Sequence, residues 1–269
     1  MTALHPDWLV PDWPAPSRVR AVFTTRNGGV SMPPFDSMNL GRPSGDDASA
    51  VDANRARLQA ALAGQPIYLS QVHGVASVEL REFAEPGVLE ADACTSRAPG
   101  VVCTIRVADC LPVLFAAGDG HAVGAAHAGW RGLAQGVLES CFEQYASLHP
   151  QANSSDGMVA RNTLAWLGPC IGPQAFEVGP EVREAFVAHD AAAACCFVPQ
   201  AHGKWLADLA GLARQRLRRL GITQIYGNDG GAAWCTANNP LQFFSHRRDN
   251  LVFGGSGRMA ACIWLDRAA

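Results

Sequence analysis

ADCLPVLFAAGDGHAVGAAHAGWRG, residues Ala108 to Gly132, is the stretch on which the fold turns. An apolar run from Leu111 to Ala117 leads into Gly118-Asp119-Gly120, and a second run, Ala122 to Ala126, ends on His127. Gly and Asp between two such runs predict a β-hairpin. A hairpin turning about Asp119 sets Cys110 opposite His127 at its open end, so a thiol and an imidazole meet.

The remaining pattern predicts strands at Val19–Thr25, Ile67–Val72, Val75–Leu80, Val101–Val107, Leu164–Leu167, Thr223–Tyr226 and Met259–Leu265. Helices are expected from Asp46 or Asp47 to Leu62, and from Pro180, which suits a first helical position, to about His189. Another runs from about Trp205 to Leu220. The clearest helix is Leu133 to Leu148, where Leu133, Val137, Leu138, Cys141, Phe142, Tyr145 and Leu148 form one apolar stripe. Many strand-to-strand connections are too short for a crossover helix. That argues for an α+β fold with mixed or antiparallel sheets covered by helices. Residues 1–18, with Pro11, Pro14 and Pro16, read as an extended lead-in.

The 269 residues are 48% hydrophobic and 17% charged, which suits a globular chain with a sizeable core. A net charge of -3 gives no electrostatic reason to expect nucleic acid or an anionic membrane. Arg214, Arg216, Arg218 and Arg219 read as the solvated face of a helix. No apolar run is long enough for a membrane span, and the first residues lack the basic start and apolar block of an export signal. Nine cysteines without such a signal point to reduced thiols in the cytoplasm, most of them small core residues.

His73, Cys110 and His127 each fall where a predicted strand meets a loop, the usual place for working residues. A thiolate and two imidazoles suit zinc and leave a fourth position open for water or substrate, as in a catalytic site. On spacing alone three readings stay open: a metal centre, a metal-free Cys–His nucleophile pair, and a buried thiol with two core histidines. The segment HAGWRG (127–132) joins a strand to a helix N-terminus, where backbone N–H groups and Arg131 would hold an anion. Alternatively its glycines only permit a tight turn. Asp109 is either an orienting or acid/base carboxylate or a cap. Arg26, Arg42, Arg247 and Arg248 lie in polar loops where they could line a pocket for an anionic or polyhydroxylated ligand.

FTTRNGGVS (23–31), NLG (39–41), GDD (45–47), QVH (71–73) and ADCLPV (108–113) occur in the order of the laccase-domain (YfiH-type) family. So do HAGWRG (127–132), LGP (167–169), IGP (171–173), FEVG (176–179) and FSHRRD (244–249). The chain therefore resembles that family over nearly its whole length. It departs at Arg42-Pro43-Ser44, where members often carry His-Val, and in a longer Asn250–Ser256 segment.

The resemblance implies a single αββα-type domain over residues 1–269, similar in shape to toxin deamidases. It also implies metal ligands at His73, Cys110 and His127, holding zinc or alternatively copper. The implied activity is phosphorolysis of adenosine, inosine or methylthioadenosine, with some members also deaminating adenosine. The partners are then a purine nucleoside and phosphate, and the chain is a monomer or homodimer. Arg131, Arg26, Arg247 and Arg248 are the expected phosphate or substrate contacts, and Asp109 or Glu177 the acid/base. Two alternatives are a copper-dependent polyphenol oxidase and a metal-free Cys–His hydrolase acting on peptidoglycan precursors. Multicopper oxidation uses many histidines in His-X-His pairs; this chain has eight histidines and no such pair.

Overall fold

The computed structural model describes residues 3–81, 89–149 and 156–267. Strand β1 (Val19–Phe23), helix α1 (Ala48–Leu62) and strand β2 (Gln65–Tyr68) come first. They are followed by β3 (Ser77–Glu79), β4 (Ala93–Ser96), β5 (Val101–Val107), and the hairpin β6 (Leu111–Ala117) and β7 (Val123–Ala128). Helices α2 (Trp130–Gln135), α3 (Val137–Ala146) and α4 (Asp156–Arg161) lead to β8 (Thr163–Leu167), β9 (Glu177–Val178) and α5 (Pro180–His189). The chain continues through β10 (Phe197–Pro199), β11 (Trp205–Ala207), α6 (Leu209–Arg219) and β12 (Gln224–Gly227). It ends with α7 (His246–Phe253) and β13 (Met259–Leu265).

Six strands in the order β12-β8-β6-β7-β4-β3 make a mixed sheet, and β1-β13-β5-β2 make a second sheet of four. Along β6, Leu111, Val113, Phe115 and Ala117 belong to a core shared with residues of α3, α5 and α6. Leu114 and Ala116 belong instead to a core that includes Ile105 and Ile263 of the four-stranded sheet. A strand covered on both faces must be apolar throughout, which is why LPVLFAA shows no alternation. On the far side of the smaller sheet, Val22, Val102, Ala260 and Cys262 pack with Leu58 and Leu62 of α1. The layers thus run helix, sheet, sheet, helices: an α+β fold of αββα type.

The structure departs from the expected elements in several places. The hairpin pairs Pro112 with His127 and Leu111 with Ala128, so Cys110 lies one residue beyond the ladder. The loop is longer than a two-residue turn, closing with Ala117 N–H to the Ala122 carbonyl at 3.1 Å. The helix expected over Leu133–Leu148 starts earlier and breaks at Gly136, whose φ of 103° only glycine adopts readily, giving α2 and α3. Trp205 lies in a strand paired with Val178, and α6 begins after Asp208, whose carboxylate caps it by accepting from Gly211 N–H at 2.8 Å.

Within α6, Arg214 and Arg216 are not solvated. Arg216 is buried and pairs with Glu139 at 2.6 Å, and Arg214 donates to the carbonyls of Gly227 and Asn228. Arg218 and Arg219 are exposed as expected. Several elements were not anticipated: the short strands β4, β9 and β10, helix α4, and helix α7 within the polar segment that begins at Phe244. In the lead-in, Trp8 is buried and Leu9 bridges to Phe23. All nine cysteines are free thiols and six are buried.

Phe115 is fully buried, with its ring centroid 6.2 Å from that of Tyr145. Phe115→Ala is expected to lower unfolding stability by about 3–5 kcal/mol. Urea denaturation checks this, and a loss under about 1 kcal/mol contradicts the packing described.

Candidate metal centre

His73, Cys110 and His127 converge: their candidate ligand atoms all lie within 4.8 Å of one another. Cys110 Sγ is 3.8 Å from His73 Nε2, and the two imidazoles meet edge to face with centroids 4.8 Å apart. Each side chain arrives from a different element. His127 is near the end of β7, Cys110 immediately precedes β6, and His73 sits in the loop after β2. His127 is buried, Cys110 half-buried and His73 exposed.

A carboxylate that was not singled out in the sequence links the two histidines. Asp92, just before β4, is fully buried. Its Oδ1 accepts from His127 Nδ1 at 2.7 Å and from His73 N–H at 2.9 Å. Its Oδ2 accepts from Val72 N–H at 3.1 Å and Gly74 N–H at 2.7 Å. A carboxylate only accepts, so Nδ1 of His127 carries a proton and Nε2 of the neutral ring keeps the lone pair. His73 takes a left-handed backbone with φ 62°, a conformation a non-glycine residue keeps only where its surroundings hold it.

The electrostatics favour a thiolate. Burial alone would raise the Cys110 thiol, but His127, and after it His73, outweighs burial and brings it down to about 6. Burial would lower His127, but the Cys110 thiolate and the Asp92 carboxylate raise it to about 9. Without metal the pair is therefore a thiolate and an imidazolium between those values. With metal, two neutral imidazoles and a thiolate form an N₂S set that fits zinc with one position open. Among the described residues this is the one group of three or more His, Cys, Asp or Glu side chains so placed.

The glycines of HAGWRG permit close approach. A Cβ on Gly129 would lie 2.9 Å from Cys110 Sγ and 3.1 Å from His73 Cδ2. One on Gly132 would lie 2.7 Å from the Gly74 carbonyl oxygen. Helix α2 thus presses against both the thiol and the His73 loop. Arg131 points elsewhere: it is exposed, with its guanidinium 4.5 Å from the Trp130 ring centroid.

The cluster faces a cleft of about 320 Å³ that Gln71, Arg106, His246 and Arg258 also line. The Gln71 amide accepts from Arg106 N–H at 2.9 Å and donates to the Arg106 carbonyl at 2.8 Å, bracing the end of β5. Arg106 donates to the Leu69 carbonyl at 2.6 Å, and Arg258 to the Ser256 carbonyl at 2.7 Å. Among the described residues no carboxylate lines the cleft, so two guanidinium groups leave it electropositive.

Most of the other expected contacts lie outside this cleft. The Asp109 carboxylate accepts from Thr236 Oγ1 at 2.5 Å, Ser245 Oγ at 3.0 Å and Arg247 N–H at 2.6 Å. It is spent on anchoring the start of α7, which presents His246 to the cleft. Arg247 donates to the Glu177 carbonyl at 3.0 Å, and Arg248 donates to the carbonyls of Thr236, Ala237 and Phe243. Arg26 pairs with Asp36 at 3.0 Å, Arg42 with Asp52 at 2.7 Å, and Glu177 is exposed on β9. A signal for Arg106 existed: it is the one charge in the apolar strand VVCTIRV. Asp92 gave only a lone acid ahead of a short strand.

Residues 20–266 match a family described as multi-copper polyphenol oxidoreductase laccase. A purine nucleoside phosphorylase of Pseudomonas aeruginosa is 51% identical over 260 residues, covering 96% of this chain and 98% of that protein. Purine nucleoside phosphorylase YfiH of Escherichia coli is 50% identical over 261 residues, with 96% and 98% covered. The crystal structure of a Neisseria meningitidis protein of the DUF152 family superposes with a TM-score of 0.87 at 42% identity, covering 97% of this chain and 99% of that one.

In metal-free protein, alkylation of Cys110 by iodoacetamide should rise with pH about a midpoint near 6, against about 8.5 for an ordinary thiol. Peptide-resolved mass spectrometry reads this site apart from the exposed Cys195. A midpoint above about 8 contradicts the thiolate–imidazolium pair. Gly129→Ala, by pushing Cys110 and His73 apart, should weaken zinc binding by about 10-fold or more; unchanged affinity in a chelator competition contradicts the close-approach role.

Proposed function

Because the chain belongs to the multi-copper polyphenol oxidoreductase laccase family, whose relatives at about half identity carry the name purine nucleoside phosphorylase, we propose that it is a metal-dependent purine nucleoside enzyme. It cleaves adenosine, inosine or methylthioadenosine with phosphate, and deaminates adenosine as a secondary reaction. The observation that carries the reading is the convergence of His73, Cys110 and His127 in a cleft lined, among the described residues, by two arginines and no carboxylate.

With zinc or copper bound, those three residues hold the ion, which supplies a Lewis acid. Arg106 and Arg258 are the cations available to hold and orient phosphate, the role first expected of Arg131, Arg26, Arg247 and Arg248. Attack of a phosphate oxygen on the anomeric carbon forms a C–O bond as the C–N bond to the purine breaks. The electron pair leaves with the base, and the proton surrendered by hydrogen phosphate balances the one the base takes up. His246 is kept below its ordinary pKa by burial and then by the Arg258 cation, so it is a neutral imidazole at pH 7 able to relay that proton. For deamination it takes the acid/base place first considered for Asp109 or Glu177.

The second reading is a metal-free Cys–His hydrolase, and the lowered Cys110 thiol favours it. Copper-dependent phenol oxidation ranks below both, since one three-donor group is far short of several coppers. The nine free thiols support a cytoplasmic location, and no helix among the described residues is long and apolar enough to cross a membrane.

Incubated with inosine and phosphate, metal-loaded protein is expected to release hypoxanthine and ribose 1-phosphate. Neither product appearing would overturn the proposal. Cys110→Ala should lower the rate at least about 100-fold. Arg258→Ala should raise KM for phosphate by about 10-fold or more, leaving KM for the nucleoside nearly unchanged. Activity that survives complete metal removal, yet is lost in Cys110→Ala, would favour the hydrolase.

A further inference from the structure

We propose that Asp92 is the positioning residue of the metal centre, one carboxylate that places one histidine donor and sets the tautomer of the other. The inference rests on the metal reading above and assigns a role to a residue that touches neither substrate nor ion.

Two of its bonds need no functional explanation. Val72 N–H and Gly74 N–H on Oδ2 close the turn that carries His73, as many buried acids do. Oδ1 goes further, for it is shared between His73 N–H and the ring Nδ1 of His127. The sheet makes this sharing inevitable. Ala93 pairs with Ala126, and His127 N–H donates to the Asp92 carbonyl at 2.7 Å, so the two residues face each other across the β4–β7 ladder. Asp92 therefore carries β7's histidine and the His73 loop on the same two oxygens.

Asparagine separates the roles. It has one oxygen, and that oxygen stays with Val72 and Gly74 because an NH₂ placed there would face two donors. The NH₂ then faces Nδ1 of His127 and donates to it, which moves the ring proton to Nε2, while the His73 N–H loses its acceptor. Val72 and Gly74 still hold the turn, His73 is less firmly placed, and the lone pair of His127 is on the wrong nitrogen, so both donors are disturbed by one substitution.

The test uses Asp92→Asn in the full chain, with zinc and cobalt(II) as probes. Zinc affinity, by competition with a chelating indicator, is expected to fall about 10–100-fold. The visible bands of the cobalt form should shift while circular dichroism of the metal-free protein shows the wild-type fold, with a lower melting temperature because a buried charge partner of His127 is gone. Unchanged affinity and an unchanged cobalt spectrum would overturn the proposal. Should the variant not fold, the zinc-loaded wild type decides. It is expected to show a slowly exchanging imidazole N–H resonance from His127 Nδ1, missing in His127→Gln, and its absence overturns the tautomer role. If wild type binds neither zinc nor cobalt, the metal reading itself has failed.

Discussion

The antiparallel contact between β4 and β7 is the constraint on which the site depends. It sets Asp92 against His127 in the interior, where an ionised carboxylate without partners would cost several kcal/mol or more. The cost is met because four donors converge on its two oxygens: three loop amides and one imidazole. A slip of one residue in that ladder would turn His127 to the opposite face of the sheet and leave the carboxylate short of a partner. Site geometry and sheet register are therefore one fact. The two-faced burial of the six-stranded sheet, which makes β6 and β7 apolar, is what specifies that register.

How much of this was legible in the sequence follows from which interactions are local. The strands Val101–Val107, Leu111–Ala117 and Met259–Leu265 and the helix from Pro180 match their expected bounds, since each has a continuous or periodic apolar pattern and a clear stop. The convergence of Cys110 with His127 was legible from the hairpin; His73 was a candidate from its place where a strand meets a loop, and the family resemblance implied that it joins them. The break at Gly136 was hidden because the apolar stripe runs across it. β4 and α7 were missed for opposite reasons. Four residues buried by neighbours distant in sequence leave little local trace, and α7 is polar along most of its length, with Ser245 as its cap.

Charged residues were the least legible part. Arg26 lies in a loop, Arg131 in the first turn of α2 and Arg248 in the first turn of α7, places that often carry function, yet their guanidinium groups are occupied by Asp36, by the Trp130 ring and by backbone carbonyls. Arg106 and Arg258, which line the cleft, sit at the ends of β-strands where an isolated charge looks like ordinary strand punctuation. What distinguishes them is the meeting of the two sheets' ends, a long-range property. Asp109 shows the same from the other side: beside Cys110 in sequence, it serves α7 instead.

The family description speaks of several coppers, whereas the described residues offer one group of two imidazoles and a thiol in an arginine-lined cleft. That arrangement suits a single ion beside a phosphate. Its direct test is anomalous diffraction from crystals of protein purified without added metal and then loaded with zinc. One peak per chain, bonded to His73, Cys110 and His127 with a fourth position open, is the predicted result. No peak there, or an ion bound elsewhere while the three side chains point apart, would contradict the account.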